Sequence, residues 1–347
     1  MPSHSSLTPL LPNRHPTKDL FICDVGDAVF KDLIQHMEHP FYALSKKSDT
    51  RIRRYESGGN WIEIIPSVKG LATIYDKDIL IYCISQIMSK LKNGEKLQTP
   101  RVKINTYELL RFANRGTAGK DYDALSAAID RLAGTRIRTN IQTGGEEQYE
   151  NFGLIDAASI RRKNGLNGRL LSCEIKLSDW VFKAIQNNEV LTLHPDYFRL
   201  RRPLERRIYE LARKHCGHQV KWQISTKNLL NKSGSQSSLA QFKYMISGLV
   251  KTNHLPDYTV AICNNNIVFT NRNTKKAQAD LEEGRGAPVL KDRTFKVARS
   301  VAPRYDIHGL YREWSGYWVS SGKPILKNPD AAFIGFCKKK FKQNPIY

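Results

Sequence analysis

Apolar residues recur at helical spacing in several parts of the chain, most clearly along Lys77–Leu91. Within this stretch Ile79, Leu80, Cys83 and Ile87 fall on one face of a helix, and polar residues occupy the other positions. The pattern therefore predicts a long amphipathic helix, which follows a region of shorter apolar pieces mixed with turn residues.

Similar apolar patterns occur twice, in the same order, in the two halves of the chain. Short patterns match by chance, but three matches in one order indicate two copies of a single supersecondary unit. The matched pairs are Ile104-Asn-Thr106-x-x-Leu109-Leu110 with Ile224-Ser-Thr226-x-x-Leu229-Leu230, Ile129-x-x-Leu132-x-x-Thr135 with Ile246-x-x-Leu249-x-x-Thr252, and Ile81-Tyr82-x-Ile84 with Ile208-Tyr209-x-Leu211.

Each copy is predicted to contain a helix, a short strand, a short capped helix, a polar turn, a second helix and a β-hairpin. This is the order of a winged helix, in which the second helix can enter the major groove and the hairpin reaches the flanking backbone. A generic α+β domain with no DNA role is the alternative. The predicted segments are Lys77–Leu91, Val102–Ile104, Lys120–Leu132, Arg136–Gln142 and Gln148–Ile155 in the first copy, and Pro203–His215, Lys221–Ile224, Ser237–Val250, Tyr258–Cys263 and Ile267–Thr270 in the second.

The predicted fold class is α+β, with two tandem winged-helix domains and a small C-terminal helical module. The polar, charged composition between the second hairpin and Ser300 indicates a linker, and aromatic residues return after it. The predicted divisions are a disordered N-terminus over 1–18, a first winged helix with an N-terminal extension over 19–190, a second winged helix over 191–271, a flexible linker over 272–303 and the helical module over 304–347.

The charge of the chain favours a polyanionic partner. Its 347 residues include 55 Lys and Arg against 33 Asp and Glu, a formal net charge of +22. The six cysteines form no C-x-x-C pair, which argues against a disulfide framework and fits a reducing compartment. No apolar run approaches the roughly 18 residues of a membrane span. We therefore expect a cytoplasmic protein without a membrane partner.

The second copy has the stronger signature of DNA binding. The stretch Leu211–Pro256 contains no Asp or Glu, whereas a solvated protein surface normally mixes charges of both signs. An ordinary exposed polar surface is the alternative. Seven cations lie in the stretch: Arg213, Lys214, Lys221, Lys227, Lys232, Lys243 and Lys251.

The helix predicted over Ser237–Val250 is the candidate DNA reader. Leu239, Phe242, Ile246 and Leu249 form its predicted buried stripe. Gln side chains can bond adenine at two positions, and backbone N–H groups before a helix suit phosphate. The candidate DNA-binding residues of this copy are Lys227, Lys232, Ser235, Gln236, Ser237, Ser238, Gln241 and Lys243, with Asn264, Asn265 and Asn266 at the hairpin tip.

The first copy is a mixed case. Its second helix carries Asp121, Asp123 and Asp130, and its predicted hairpin tip carries Glu146 and Glu147, all of which would face phosphate poorly. It either binds the DNA backbone or forms part of a protein-contact surface. Its candidate DNA-binding residues are Arg111, Arg115 and Lys120 near the turn, and Arg136 and Arg138 on one strand.

Catalytic and metal-binding motifs are missing from the sequence. No G-x-x-x-x-G-K-[ST] loop occurs, and the nearest approach to a metal-binding His-x-His is H-x-x-H, at His36–His39 and His215–His218. A C-terminal helix cap explains the second pair more simply than a metal does. We therefore expect a protein that is not an enzyme, with no catalytic residues, no metal and no cofactor.

Several long motifs run together along the first 270 residues of the chain. They are Met37-Glu-His-Pro-Phe41, Pro66-Ser-Val-Lys-Gly-Leu-Ala-Thr-Ile74, Asp76-Lys-Asp-Ile-Leu-Ile-Tyr82, Leu177-Ser-Asp-Trp180, Pro203-Leu-Glu-Arg-Arg-Ile-Tyr-Glu-Leu-Ala-Arg-Lys-His-Cys-Gly217 and Leu255-Pro-Asp-Tyr258. With these motifs the chain resembles the bacterial plasmid replication initiator protein A family over roughly residues 14–270, and the region after Ser300 carries weaker matches.

The resemblance implies a non-enzymatic initiator that binds repeated double-stranded sites at a plasmid origin, opens the strands and recruits host replication proteins. It also implies a bacterial protein associated with plasmid or nucleoid, and by analogy a homodimer is expected. Three rival functions remain at this point. The first is a winged-helix transcriptional regulator, and the second is a DNA nicking or strand-transfer enzyme. The third is a primosome adaptor whose main partner is a protein.

The C-terminal module carries two aromatic stripes. Tyr311, Trp314, Tyr317 and Trp318 share one helix face, and a second helix offers Phe333, Ile334, Phe336, Cys337 and Phe341 beside a basic run at 338–342. One interpretation is that the stripes bury each other in a two-helix hairpin. The other is that residual aromatic surface over 304–347 contacts a host replication protein or opened single-stranded DNA.

Overall fold

The computed structural model describes residues 10–15, 30–45, 47–57, 60–92, 94–95, 99–140, 150–162, 170–217, 219–272, 288, 290–303, 305–320, 326 and 328–343. The helices are α1 (Ile34–Glu38), α2 (Lys77–Lys92), α3 (Thr106–Phe112), α4 (Gly119–Gly134), α5 (Asp179–Gln186), α6 (Pro203–His215), α7 (Thr226–Ser233), α8 (Leu239–Thr252), α9 (Asp292–Val301), α10 (Ile307–Ser320) and α11 (Pro329–Gln343), with a 3-10 turn at Pro195–Arg199. The strands are β1 (Lys31–Leu33), β2 (Arg53–Ser57), β3 (Asn60–Ile65), β4 (Arg101–Asn105), β5 (Arg136–Thr139), β6 (Glu150–Gly153), β7 (Ile155–Arg162), β8 (Leu170–Leu177), β9 (Val190–Thr192), β10 (Lys221–Ser225), β11 (Tyr258–Cys263) and β12 (Asn266–Asn271).

Two parts of the chain share an order of elements and an order of strands. The first unit consists of α2, β4, α3, α4 and the hairpin β7–β8, with the sheet order β4-β8-β7. The second unit consists of α6, β10, α7, α8 and the hairpin β11–β12, with the sheet order β10-β12-β11. In both, the strand after the first helix pairs with the last strand of the hairpin, so the repeat seen in the sequence corresponds to a repeat of topology.

The hairpin predicted for the first copy is a real hairpin in a different sheet. Strands β5 and β6 pair as expected, but they join β2 and β3 in a four-stranded sheet of order β2-β3-β5-β6. The hairpin equivalent to that of the second unit is the next one, β7–β8. The prediction assigned the first hairpin after the helix to this unit. The sequence around β5 does not show that β5 pairs with the upstream strand β3.

The core of the second unit follows the predicted helical stripe closely. Phe242 and Ile246 are fully buried and Leu249 nearly so, against residues of α6, α7 and the hairpin. Burying a side chain of this kind contributes about 1.5–3 kcal/mol. Leu239 differs from the prediction, since it is 40% exposed at the first position of α8.

Buried charges connect the two units where α2 meets α6. The Lys77 ammonium lies 2.6 Å from Asp32 and 2.8 Å from Glu210, and all three side chains are shielded from solvent. Arg206 pairs with Asp78 at 2.7 Å, also in the interior. Because an unpaired buried charge is costly, these pairs stabilise the contact between the two units.

Three helices form a third hydrophobic cluster near the C-terminus. Phe333 is fully buried, and its ring centre lies 5.5 Å from that of Trp314 and 5.9 Å from that of Phe295. The two aromatic stripes therefore largely bury each other, as the simpler interpretation held, with α9 added as a third partner. Tyr317 remains 66% exposed.

Two predicted boundaries change. The linker predicted over 272–303 overlaps helix α9, whose Thr294 and Ala298 are buried against the neighbouring helices. The helix has a narrow apolar face and many charged residues, so its composition resembles that of a linker. The N-terminus predicted as disordered over 1–18 includes Leu10–His15, which hydrogen-bond to both units. The rest of both segments is mostly outside the described residues.

Within the described ranges, no helix is long and apolar enough to cross a membrane. Five cysteines fall in these ranges and all are free thiols.

Candidate nucleic-acid interface

The outward face of α8 is the centre of the candidate interface. The Ser238 hydroxyl accepts a hydrogen bond from the Gln241 N–H at 3.2 Å and caps the helix, which therefore begins at Leu239 and not at Ser237. The helix ends at Thr252, and the capping residue Asn253 adopts the left-handed conformation, with φ of 46°. The buried stripe then directs the opposite face to solvent.

Gln241 and Lys243 are exposed on this face, as predicted. Between them projects Tyr244, which is 80% exposed and which the sequence reasoning missed. Its neighbours on the face are small, Ala240 one turn before it and Gly248 one turn after. The sequence could have shown this, because Ala240, Tyr244 and Gly248 are spaced four residues apart on the side opposite the buried stripe. An aromatic residue between two small residues on that side indicates an exposed ring.

The seven cations of the acid-free stretch divide into two groups. Lys221, Lys227, Lys243 and Lys251 are exposed. The other three bond within the protein: the Arg213 Nε donates to the Thr192 carbonyl at 2.6 Å, and Lys214 and Lys232 pair with a carboxylate. Four cations of this stretch, and not seven, are therefore available to phosphate.

The carboxylate that binds Lys214 and Lys232 belongs to Glu38, which comes from far upstream. It lies 2.6 Å from Lys232 Nζ, 3.4 Å from Lys214 Nζ and 3.4 Å from His215 Nε2. Burial alone would raise the pKa of Glu38, but the charges of His215, Lys214 and Lys232 outweigh it and hold this pKa below its usual range. The ammonium of Lys232 is already partnered in the free protein.

The turn between α7 and α8 is tightly built. Gly234 has a φ of 71°, and a Cβ placed there would lie 2.5 Å from the Cβ of Pro40. The Ser235 N–H donates to Ser233 Oγ at 3.2 Å, and the Ser237 N–H donates to Ser235 Oγ at 3.3 Å. The serine hydroxyls thus already occupy two of the amides predicted to meet phosphate.

The two remaining candidates, Lys227 of α7 and Gln236 of the α7–α8 turn, lie at the surface of the protein. Lys227 is exposed on the first turn of α7. Gln236 is also exposed, and its side-chain amide lies 3.4 Å from the Gly234 carbonyl. Both side chains are therefore open to solvent.

The hairpin of the second unit is short. Its tip residues Asn264 and Asn265 are exposed, and Asn266 is half-buried. The Asn265 carbonyl accepts hydrogen bonds from both the N–H and the hydroxyl of Thr226, at 2.9 and 2.8 Å. The tip is thereby tied to the start of α7 and does not extend beyond strand β10, whose last residue pairs with Asn266.

The first unit brings fewer of its candidates to an open surface. Lys120 is exposed on the first turn of α4, and Arg111 donates to the Tyr107 hydroxyl at 3.2 Å. Arg115 is mostly buried, and it bonds the Asp78 carboxylate at 2.9 Å and the Tyr75 carbonyl. Its role in this structure is to link the α3–α4 turn to the start of α2.

Arg136 and Arg138 lie on β5, away from the hairpin that pairs with β4. Arg138 faces Glu63 across the sheet, with Nη1 at 3.3 Å from the carboxylate, and Arg136 donates to the Asn151 carbonyl at 3.1 Å. The two arginines therefore neutralise or cross-link neighbouring strands.

In the described part of the chain, no group of three His, Cys, Asp or Glu side chains is placed to hold an ion. His36 is buried 3.6 Å from Asp32, and His215 stacks on Trp222. His218 is outside the described residues, as are Glu146 and Glu147.

Comparison with known proteins adds family relationships to this geometry. A protein of Wigglesworthia glossinidia brevipalpis named "Putative replication protein" is 41% identical over 247 residues, which cover 70% of this chain and 89% of that protein. A crystal structure of domains 2 and 3 of RctB matches 67% of this chain and 94% of its own, with a TM-score of 0.50 and 11% identity, and thus shares the fold. A second structure of RctB domains 2–3 has a TM-score of 0.47 and 12% identity, over 71% of this chain and 99% of its own.

The family model named Replication initiator protein A matches residues 31–260, a range that contains the first repeated unit and the second unit as far as the start of its hairpin, including helix α8. With the relative described above, this match covers most of the chain. The resemblance found in the sequence is confirmed: the chain belongs to the Replication initiator protein A family.

Proposed function

We propose that this chain initiates plasmid replication by binding repeated double-stranded sites at the origin through two winged-helix units. Binding then promotes strand opening and brings host replication proteins to the origin. The protein acts in the bacterial cytoplasm on the plasmid and without enzymatic chemistry. The observation that carries the proposal is the outward face of α8, which is free of acidic residues and presents Gln241, Lys243 and Tyr244.

The topology supports the assignment of winged helices. In each unit a helix–turn–helix is followed by a hairpin whose last strand pairs with the strand after the first helix. In such units the second helix of the pair reads the major groove. We assign this role to α8, because α4 presents Asp123 among its exposed residues.

Footprinting on the DNA that flanks the gene tests this function. We expect protection of evenly spaced repeats, weakened by Lys243→Ala and Lys251→Ala on α8 and unchanged by Lys90→Ala, an exposed lysine on α2. Protection with no repeated pattern, or equal loss with all three variants, contradicts reading by α8.

Two assays separate initiation from the rival functions. A plasmid that carries the origin but lacks the gene should replicate only when the protein is supplied in trans, whereas a regulator would not be required. Supercoiled plasmid incubated with the protein and Mg²⁺ should stay intact, whereas a nicking enzyme would relax it.

The C-terminal cluster α9–α11 is proposed to contact a host replication protein. Exposed Lys338 and Lys339 lie on α11, and the exposed ring of Tyr317 lies on α10. A chain ending after Arg272 should keep duplex binding and lose plasmid replication. A cut after Ser300 is a poorer experiment because it leaves α9 without its partners. Sedimentation with and without origin DNA tests the proposed homodimer.

A further inference from the structure

The segment Leu10–His15, called here the N-terminal strap, lies along the seam between the two units. Toward the second unit it pairs like a β-strand: the Leu11 N–H donates to the Arg199 carbonyl at 2.8 Å, and Arg199 Nε donates back to the Leu11 carbonyl at 2.8 Å. Leu10 forms a bridge with Leu200 and packs against the second core.

Toward the first unit the strap contacts the α3–α4 turn at Asn114 and Arg115. Asn114 Oδ1 accepts a hydrogen bond from the Arg14 N–H at 2.8 Å, and Asn114 Nδ2 donates to the Pro12 carbonyl at 3.1 Å. The His15 ring lies 2.8 Å from the Arg115 carbonyl. An amide that bonds both a backbone N–H and a backbone carbonyl recognises extended peptide without regard to its side chains.

We propose that this seam is a peptide-binding groove, that the N-terminal strap of the same chain fills it, and that the strap holds the two units in one relative orientation. The strap uses Arg199 and Leu200 of the 195–200 segment before α6 and Asn114 and Arg115 of the α3–α4 turn, so it joins parts that are distant in sequence. The inference rests on the proposed function in one respect: fixing the two units also fixes the spacing of their DNA-contacting surfaces.

The chain's own strap is the occupant because the tether is short. The described chain resumes at Phe30, whose ring centre lies 4.8 Å from that of Phe112 and 5.2 Å from that of Phe198, beside the same seam. Fourteen residues separate His15 from Phe30. A tether of this length gives an effective concentration of about a millimolar, which exceeds that of a second copy at micromolar protein.

Hydrogen exchange on the full chain tests the contacts directly. The Leu11 and Arg14 amides should be protected, and Asn114→Gly should speed exchange at Arg14 by about ten-fold or more, since one hydrogen bond is lost at each end of the amide. Glycine suits the Asn114 φ of 53°, so the turn keeps its shape. Asn188→Gly, at a φ of 55° and outside the strap's contacts, is the matched control.

A peptide of residues 7–16, labelled at its N-terminus, tests the groove. It should bind the full-chain variant Leu10→Asp/Leu11→Pro saturably and at least about ten-fold more tightly than the wild-type chain, whose groove is filled. Equal binding to both proteins, or binding to neither, overturns the groove. Protection that appears only in a sedimenting dimer assigns the strap to a second copy and overturns the own-chain assignment.

The strap and the proposed function fail in different ways. Free exchange at Leu11 and Arg14 in a protein that still footprints the origin contradicts the strap alone. A protected strap in a protein that binds no duplex contradicts the proposed function alone.

Discussion

Glu38 shows how much one side chain can change the charge of a surface. Its carboxylate serves two lysines and His215 from the second unit, although it belongs to a segment more than 170 residues upstream of them. Half-buried cations that share one anion depend on it strongly, because its removal leaves them desolvated and unpaired.

We expect Glu38→Gln to lower the free energy of unfolding by about 1–3 kcal/mol at neutral pH. The folded pKa of Glu38 is depressed, so its contribution is present above the ordinary carboxyl range and is lost as the pH falls through the folded pKa. Urea unfolding at neutral and acidic pH should therefore show a difference that shrinks in acid.

The control for this prediction is Glu56→Gln. Glu56 is exposed and pairs with exposed Arg54, so its loss should change stability by less than about 0.5 kcal/mol. Equal effects of the two substitutions would mean that Glu38 is not held as described.

Gln241 is expected to set the choice of sequence. If it bonds one adenine at two positions, Gln241→Ala should reduce discrimination between the origin repeat and a repeat changed at that base by about 1–3 kcal/mol. Lys243→Ala should weaken both duplexes alike. Competition binding with the two duplexes measures the difference, and an unchanged preference in Gln241→Ala assigns base reading to another side chain such as Tyr244.

At the scale of elements, two glycines near α8 should respond in opposite ways to replacement by alanine. Gly234 adopts a left-handed conformation against Pro40, whereas a Cβ on Gly248 would meet no atom within 4 Å. Gly248→Ala should stabilise the fold by about 1 kcal/mol through helix propensity. Gly234→Ala should destabilise it by about 2 kcal/mol or more. Thermal unfolding of the pair measures both signs, and a stabilising Gly234→Ala would contradict the packing of the turn.

The sequence predicted the elements better than their partners. Helix α8 and hairpin β11–β12 were found within two residues, because apolar periodicity and turn residues are local signals. The sheet that takes β5 was missed, because its partners β2 and β3 lie far upstream. Helix α9 was missed because a short charged helix resembles a linker until its neighbours are known.

The candidate site shows the same division. Exposed Gln241 and Lys243 followed from helical periodicity, whereas the internal bonds of Arg115, Arg138 and Lys232 depend on residues distant in the chain. The composition of Leu211–Pro256 cannot show that the carboxylate of Glu38, which lies far upstream in the sequence, pairs with Lys232 in the folded protein.

At the scale of the whole molecule, the number of available cations sets the salt dependence of binding. Four exposed lysines in the second unit contribute about −3.6 to the log–log slope, at roughly −0.9 per phosphate, which is less than seven cations would contribute. Lys232→Ala should leave the slope unchanged and Lys227→Ala should reduce it. Binding titrations between low and moderate salt measure both, and a flat titration rules out this electrostatic mode.

The buried pairs between α2 and α6 have a consequence for heredity. Recombination that replaced the first unit with that of a distant relative would remove the Asp78 carboxylate that pairs with buried Arg206 of the second unit. We therefore expect the two units to be inherited together. The outward residues of α8 take no part in those pairs, so, under the proposed function, a few substitutions there would change the DNA sequence that is recognised without disturbing the contact between the units.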